Sequence, residues 1–415
     1  MDYNNKERRV YMNAKTILDE VKQLKDEIIQ NRRYLHLHPG IGFDIKETIQ
    51  YVEKKLTEMN YEVHHCGKAG LYVMVGTGKP TFLIRGDMDA LPIKEESGLD
   101  FASTNGYMHA CGHDMHTAMM LGAAKILKQH ESELKGTVKL MFQPAEEIFE
   151  GSKDMIDHGI LEDVDQAMMM HVMANFPLPE GSVVVSAPGV SAPAADYFEI
   201  EIQGKGCHGS MPNMGVDPIN IAAHVIVALQ EINARELSLS NDAVVTIGSI
   251  HAGKAQNAIA DMAKLGGTIR TYDEQTRTFI KQRMQEIVSG VAQTFRGEGK
   301  VIFGSGCPTL VNDEQLSLDT TKYAEELLGK EKAWSVAKLQ EMTKSPASKS
   351  TGSEDFAYVS QEVPSIMVAL AAGMPDKGYG YPQHHPRVKF DEEALVNGCA
   401  LYAYTPMRWL EEHCK

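Results

Sequence analysis

The feature that most constrains this chain is a change of hydrophobic pattern near Ala192 that reverses at about residue 309. Before it, short apolar runs such as "LYVMVGTG", "TFLIRGDMDALP", "TVKLMFQPAEE" and "QAMMMHV" alternate with helical periods. One helix is expected over 13–38, with Ile17, Val21, Leu24, Ile28 and Leu35 on its apolar face. Others are expected from about Lys46 to Met59 and from Met115 to His130. Apolar spacings of three and four predict helices, and short continuous apolar runs predict buried strands. Their alternation predicts an α/β sheet covered on both faces. After Ala192 the order becomes strand ("DYFEIEIQGKG"), helix (218–235), two strands ("AVVTIGSIHAG", "AKLGGTIRTYD"), helix (274–295) and strand ("KVIFGSGCPTL"). This βαββαβ order is ferredoxin-like. The α/β character then returns, with "SIMVALAAG" as a buried strand and a helix near the end. A two-domain α/β protein is therefore expected, with 192–308 inserted between the two pieces, 1–191 and 309–415, of a larger domain. A length of 415 residues agrees, because single cores stop growing near ~250–300 residues.

Composition excludes several classes. A formal net charge of −15 argues against a nucleic-acid partner, which requires clustered Lys and Arg. The opening "MDYNNKERRVYMNAKTILDEV" is charged and lacks an apolar stretch, so no secretory leader is expected. No run of ~18 apolar residues exists, so no membrane span is expected. Six scattered cysteines (Cys66, Cys111, Cys207, Cys307, Cys399 and Cys414) do not make a disulfide framework. The expectation is a reduced, cytoplasmic protein with mostly buried thiols.

Candidate chemistry gathers in "YMHACGHDMH", Tyr107 to His116. Cys111 and His113 do not share a helix face, but from an extended loop both can reach one side. Thiolate and imidazole suit Zn²⁺ and similar ions. The competing reading is a packed thiol beside a surface histidine. "QPAEE" supplies Glu146 and Glu147 at a strand end. Either they form a solvated acidic loop, or one binds metal while the other takes a proton from water. His171 ends "QAMMMHV", as a core histidine or as another ligand. "RGDMDALP" puts Asp87 and Asp89 on one side of an extended chain, where two like charges need a cation or donor nearby. Asp89 could orient a ligand histidine, or the segment could be an exposed turn. "YPQHHPRVKF" brings His384 and His385, as a surface loop or as a further ligand source.

Taken in order, "GDMDALP", "HACGHDMHTAMMLGAA", "FQPAEE", "MHV", "GKGCHGSMPN", "GTIRTYD", "GSEDFAYV" and "HHPRVKFDEEAL" resemble a known family. It is the dinuclear-metal amidohydrolases of the hippurate hydrolase and auxin-conjugate hydrolase branch, within the aminoacylase and glutamate carboxypeptidase metallopeptidases. The resemblance covers nearly the whole chain. It implies a mixed-sheet α/β/α metallopeptidase-like catalytic domain, with the inserted unit as lid and dimerisation domain. It implies two divalent metal ions, Zn²⁺ or Mn²⁺ first and Co²⁺ or Ni²⁺ next. Cys111, His113, Glu147, His171 and His384 correspond to the five ligands, and Glu146 to the general base. His384 is favoured over His385 because the family ligand stands two residues before the proline. Asp89 is retained from the family pattern, whereas Asp87 stands where other branches carry a ligand histidine.

In the lid, His208 resembles a residue that reaches the partner subunit's site to hold the substrate carbonyl. Asn257 and Arg270 resemble the pair that holds the substrate carboxylate; without the resemblance they read as a turn residue and a surface cation. Two departures stand out. "IFEGSKDM" replaces the Gly-rich continuation after "PAEE", placing Ile148 and Phe149 beside the metal loop, and "QNAIAD" replaces Asn-Val-Ile-Pro-Asp. The implied activity is cleavage of an N-acyl amino acid, by metal-activated water, to a carboxylic acid and a free amino acid. Hydrolysis of short peptides is the neighbouring alternative. A metal-independent binding protein on the same scaffold is a third, which the complete ligand set disfavours. The expected partners are a small-molecule substrate and a second copy of the chain.

Overall fold

In a computed structural model of the chain, residues 12–344 and 349–414 are described. The charged opening stretch read above falls largely in 1–11, outside the described residues. The chain divides into two compact units. The smaller comprises Val190–Leu310 with Lys349–Ala357, and the larger holds the remainder. Among the described residues no helix is long and apolar enough to cross a membrane.

The larger unit is built on an eight-stranded mixed sheet. Its order is His64–Cys66, Gly70–Gly76, Thr137–Gln143, Thr81–Asp87, Gln166–Met173, Ser365–Ala371, Val183–Val185 and Ala333–Ser335. The four central strands, from Thr137–Gln143 to Ser365–Ala371, run parallel. Antiparallel neighbours, Gly70–Gly76 and Val183–Val185, flank them. Every residue of Thr81–Asp87 and Thr137–Gln143 is buried. Helices cover parallel strands on both faces, so such strands read as apolar runs without alternation. The helices Lys25–Leu37, His113–Gln129 and Ala394–His413 belong to this core, which holds Ile28, Leu35, Met119, Ile126, Leu395 and Leu401.

The helix expected over 13–38 is two helices, Ala14–Gln23 and Lys25–Leu37. Leu24 lies between them, its N–H bonded to the Val21 carbonyl three residues back at 3.0 Å. No proline or glycine marks the break, and the apolar period runs through it, so sequence pattern alone does not reveal it.

The second helix carries a buried charge network. Arg32 Nε donates to Asp114 Oδ2 at 2.8 Å and Nη1 to Glu392 Oε1 at 3.1 Å. His36 bridges Asp114 (2.9 Å) and Glu95 (3.0 Å). Burial alone would raise the Asp114 pKa, but Arg32 and His36 hold the carboxylate far below its usual range. Burial opposes the charge on His36, yet Asp114 and Glu95 raise its pKa overall. Asp114 also occupies the first turn of the helix that begins at His113, where negative charge is favoured.

The smaller unit has a four-stranded antiparallel sheet, in the order Ala243–Ala252, Met262–Thr271, Ala194–Gln203 and Glu298–Cys307. Helices Pro218–Glu231 and Glu274–Thr294 complete the βαββαβ succession. Ile200, Ile202, Ile221, Val225, Leu265, Ile280 and Val288 form its core. Side chains of the alternate register, such as Tyr197 and Ile302, are exposed. The helix expected over 218–235 ends at Glu231 in a π turn, Ile232–Glu236.

Removing one member of a buried ion pair leaves a charge without its partner. Arg32→Met is expected to destabilise the fold by about 3–5 kcal/mol in urea unfolding. Lys25→Met, which removes the exposed pair with Glu393, should cost less than about 1 kcal/mol. Equal effects would contradict the network's role.

Candidate metal centre

The candidate side chains come from the carboxyl ends of the central strands and the loops that follow, where crevices form in parallel sheets. The Thr81–Asp87 strand leads to Asp89, Thr137–Gln143 leads to Glu146 and Glu147, and Gln166–Met173 carries His171. Cys111 and His113 flank Gly112, whose φ of +96° starts the helix His113–Gln129. A Cβ on Gly112 would lie 2.4 Å from Val172 Cγ2, so both its conformation and its space demand glycine.

These residues meet. Cys111 Sγ lies 3.4 Å from His171 Nε2 and 3.3 Å from His384 Nε2. His384 Nε2 is 3.6 Å from Glu147 Oε2. His113 Nε2 is 3.9 Å from both Glu146 Oε2 and Glu147 Oε1. Three overlapping donor groups result: Cys111–His113–His171, Cys111–Glu147–His384 and His113–Glu146–Glu147, each with its atoms within 4.8 Å of one another. His384 therefore joins the cluster. His385 instead stacks on Tyr381 and accepts a bond from the Arg387 N–H.

The imidazoles are oriented for ligation. His113 Nδ1 donates to the Asp89 carbonyl at 2.8 Å, and His171 Nδ1 to the Val172 carbonyl at 2.7 Å. Both Nε2 lone pairs thus face the cluster, and His113 Nε2 is buried with no hydrogen-bond partner. A metal-ligating histidine typically has its other nitrogen engaged in this way. Burial pushes the Cys111 thiol up, and the Glu147 charge pushes it further. A cation is what would hold it as thiolate. The donor set fits a pair of divalent ions.

The two aspartates differ in role. Asp87 is buried between Arg85 and His116, which donate to its two oxygens. Burial would raise its pKa, but Arg85 and the neighbouring histidines keep it well below the usual value. The Asp89 carboxylate accepts the N–H groups of Glu146 (2.9 Å) and Glu147 (3.3 Å). It is the main-chain carbonyl of Asp89, rather than the carboxylate, that orients His113. Backbone strain collects here: Ala145, Phe149 and His384 all have φ between +56° and +64°. Such left-handed residues cost roughly 1–3 kcal/mol each and cluster at functional sites.

His208, Asn257 and Arg270 lie in the smaller unit. The strand pair Ala258↔His208 sets Asn257 beside His208. Ser210 N–H and hydroxyl face His208 Nδ1 at 3.2 and 2.8 Å. Arg270 lies over the Tyr197 ring, at the far end of its strand from Met262. The ends of that ten-residue strand are roughly 30 Å apart at ~3.4 Å per residue. Within one chain, Asn257 and Arg270 are therefore not brought together. Sequence reasoning also passed over His116 and Gln383, whose side chains reach the Val172 backbone. His116 closes "YMHACGHDMH" with no spacing to assign it a role.

The chain matches Peptidase family M20/M25/M40 over residues 83–408. It is similar to an N-acetyl-L-cysteine deacetylase of Bacillus subtilis (34% identity, 94% of this chain, 90% of the relative). An IAA-amino acid hydrolase of Arabidopsis thaliana is 34% identical (93% and 86%). The thermostable carboxypeptidase 1 of Saccharolobus solfataricus is 32% identical (94% and 97%). Among solved structures, the YXEP protein of Bacillus subtilis, described as a dinuclear metal binding peptidase, superimposes with a TM-score of 0.75. It is 32% identical, with 94% of this chain and 99% of that chain covered. Fold and site thus define a metallohydrolase of mixed α/β architecture. The chain belongs to peptidase family M20/M25/M40, in its amidohydrolase branch.

If the cluster binds metal as its geometry suggests, His384→Ala should weaken divalent-ion affinity at least roughly tenfold, whereas His385→Ala should leave it unchanged. Elemental analysis after dialysis against graded free metal reads both.

Proposed function

We propose that the chain is a metal-dependent amidohydrolase that cleaves N-acyl amino acids to a carboxylic acid and a free amino acid. The observation that carries this reading is the convergence of five donors, Cys111, His113, Glu147, His171 and His384, with Glu146 beside them as the group for proton transfer. The five would hold two divalent ions, Zn²⁺ or Mn²⁺ first and Co²⁺ or Ni²⁺ next. When bound, the ions supply Lewis acidity that acidifies water and polarises the amide carbonyl.

The remaining chemistry belongs to the chain. Glu146, its N–H fixed by Asp89, takes a proton from the attacking water and returns it to the leaving amine. The smaller unit serves as lid and dimerisation domain. Ser210 N–H can only donate, so His208 Nδ1 accepts and Nε2 carries the proton. That Nε2–H is suited to stabilising the oxyanion. Arg270 offers a bidentate contact to a substrate carboxylate, with Asn257 as its partner. Because these two stand apart in one chain, they serve a single substrate only when two copies contribute. The edge strand Ala243–Ala252, with Val244 and Ile250 exposed, supports a homodimer through this unit. Six free thiols fit a reducing, cytoplasmic setting.

A second reading, carboxypeptidase or dipeptidase action on short peptides, is favoured by the similarity to the Saccharolobus solfataricus carboxypeptidase. Hippurate, N-acetyl amino acids and dipeptides, assayed on the metal-loaded enzyme, separate the two. The acyl substrates should show the higher kcat/KM, and the reverse order would establish the second reading. Glu146→Gln should keep its metal and lose at least ~10²-fold in kcat. Retained turnover would remove Glu146 as the base.

A further inference from the structure

The strands Thr81–Asp87 and Gln166–Met173 pair in register from Phe82↔Gln166 to Arg85↔Met169 and no further. On its other side the second strand stays paired with Ser365–Ala371 up to Met173. Beyond Arg85 the two central strands part, and side chains enter the gap. The Met170 N–H donates to Tyr402 Oη at 2.8 Å, and that hydroxyl donates to the Arg85 carbonyl at 2.8 Å. One step further, the Val172 N–H donates to His116 Nε2 at 2.9 Å. An unmet buried N–H costs about 1–3 kcal/mol, so the divergence requires such acceptors.

The bonds around Val172 settle the state of His116. A backbone N–H can only donate, so Nε2 is the acceptor and the ring proton sits on Nδ1. That proton faces Asp87 Oδ1, and Arg85 binds the other carboxylate oxygen. The Val172 carbonyl accepts from His171 Nδ1 at 2.7 Å and from Gln383 Nε2 at 3.0 Å. One residue's backbone therefore joins His116 to His171 and to the residue preceding His384. Asp87, His113 and His116 also fall within ligand distance of one another, but Asp87 and both His116 nitrogens are already engaged.

We propose that His116 is a positioning residue for His171. Held by Asp87, it fixes the Val172 backbone, and Val172 fixes the ring whose Nε2 meets Cys111. This rests on the reading of His171 as a metal ligand.

Two substitutions divide the two ring nitrogens. An asparagine amide reaches the Nδ1 position and stops short of Val172, whereas a glutamine reaches the Nε2 position and can accept the Val172 N–H. His116→Asn is expected to bind metal about 10–100-fold more weakly than the native chain, and His116→Gln within a few-fold of it. Metal affinity is read by dialysis and elemental analysis, with thermal unfolding to confirm that each variant folds. Native affinity in a folded His116→Asn chain, or equal loss in both variants, would overturn the proposal. His171→Ala should lose bound metal; if it does not, the ligand reading fails first and the positioning role with it. A measurement on the native chain is independent of folding in variants. ¹⁵N-histidine spectra should show His116 protonated on Nδ1 with Nε2 accepting, and a proton on Nε2 would overturn the proposal.

Discussion

A parallel sheet that opens at its carboxyl ends is the constraint on which the rest of this structure depends. While Thr81–Asp87 and Gln166–Met173 remain paired, every polar backbone group between them is satisfied and no side chain fits there. Past Arg85 the ladder ends, yet the backbone is still buried. Tyr402, from the long C-terminal helix, and His116, from the helix behind the cysteine loop, supply the missing partners. The opening that results gives Asp89, Glu146 and His171 room to converge.

That convergence is electrostatically unfavourable without compensation. Carboxylates, a thiol and imidazoles crowd together, with Cys111, His113 and Glu146 buried and His384 on the exposed side. Part of the compensation lies within the fold: Arg85 neutralises Asp87, to which His116 donates a hydrogen bond, while the Asp89 carboxylate is met by two backbone amides. Cys111 and the inward-facing His113 Nε2, which is buried with no hydrogen-bond partner, are groups for which divalent cations are natural partners. Left-handed conformations at Ala145, Phe149 and His384 show that the surrounding packing, not local preference, holds these loops. Behind the site, Arg32 and His36 tie Asp114 in place, so the helix that begins at His113 is anchored at its first turn.

Much of this was legible in the sequence because it is local. Continuous apolar runs marked the buried strands, and polar residues just past those runs marked the site. Glu146, Glu147 and His171 stood out as candidates for that reason, Cys111 and His113 because polar residues crowd just ahead of a helix, and the resemblance favoured His384 over His385. What escaped depends on contacts distant in the chain. Tyr402 and His116 look like ordinary core and motif residues until two strands are seen to part. The break at Leu24 leaves no mark in the periodicity. The orienting group on His113 is a carbonyl, which every residue carries, so only geometry distinguishes it from the Asp89 carboxylate. The separation of Asn257 from Arg270 follows from strand register, which motif order does not encode.

The central claim is that these donors form a two-ion hydrolytic site. Its most direct test is titration of chelator-stripped protein with Mn²⁺ or Zn²⁺, counting ions bound per chain while following release of free amino acid from an N-acetyl amino acid. The account predicts two ions per chain at saturation, with turnover absent from the stripped protein and restored as the sites fill. Turnover that persists in the stripped protein, or saturation without a bound ion at this cluster, would contradict it.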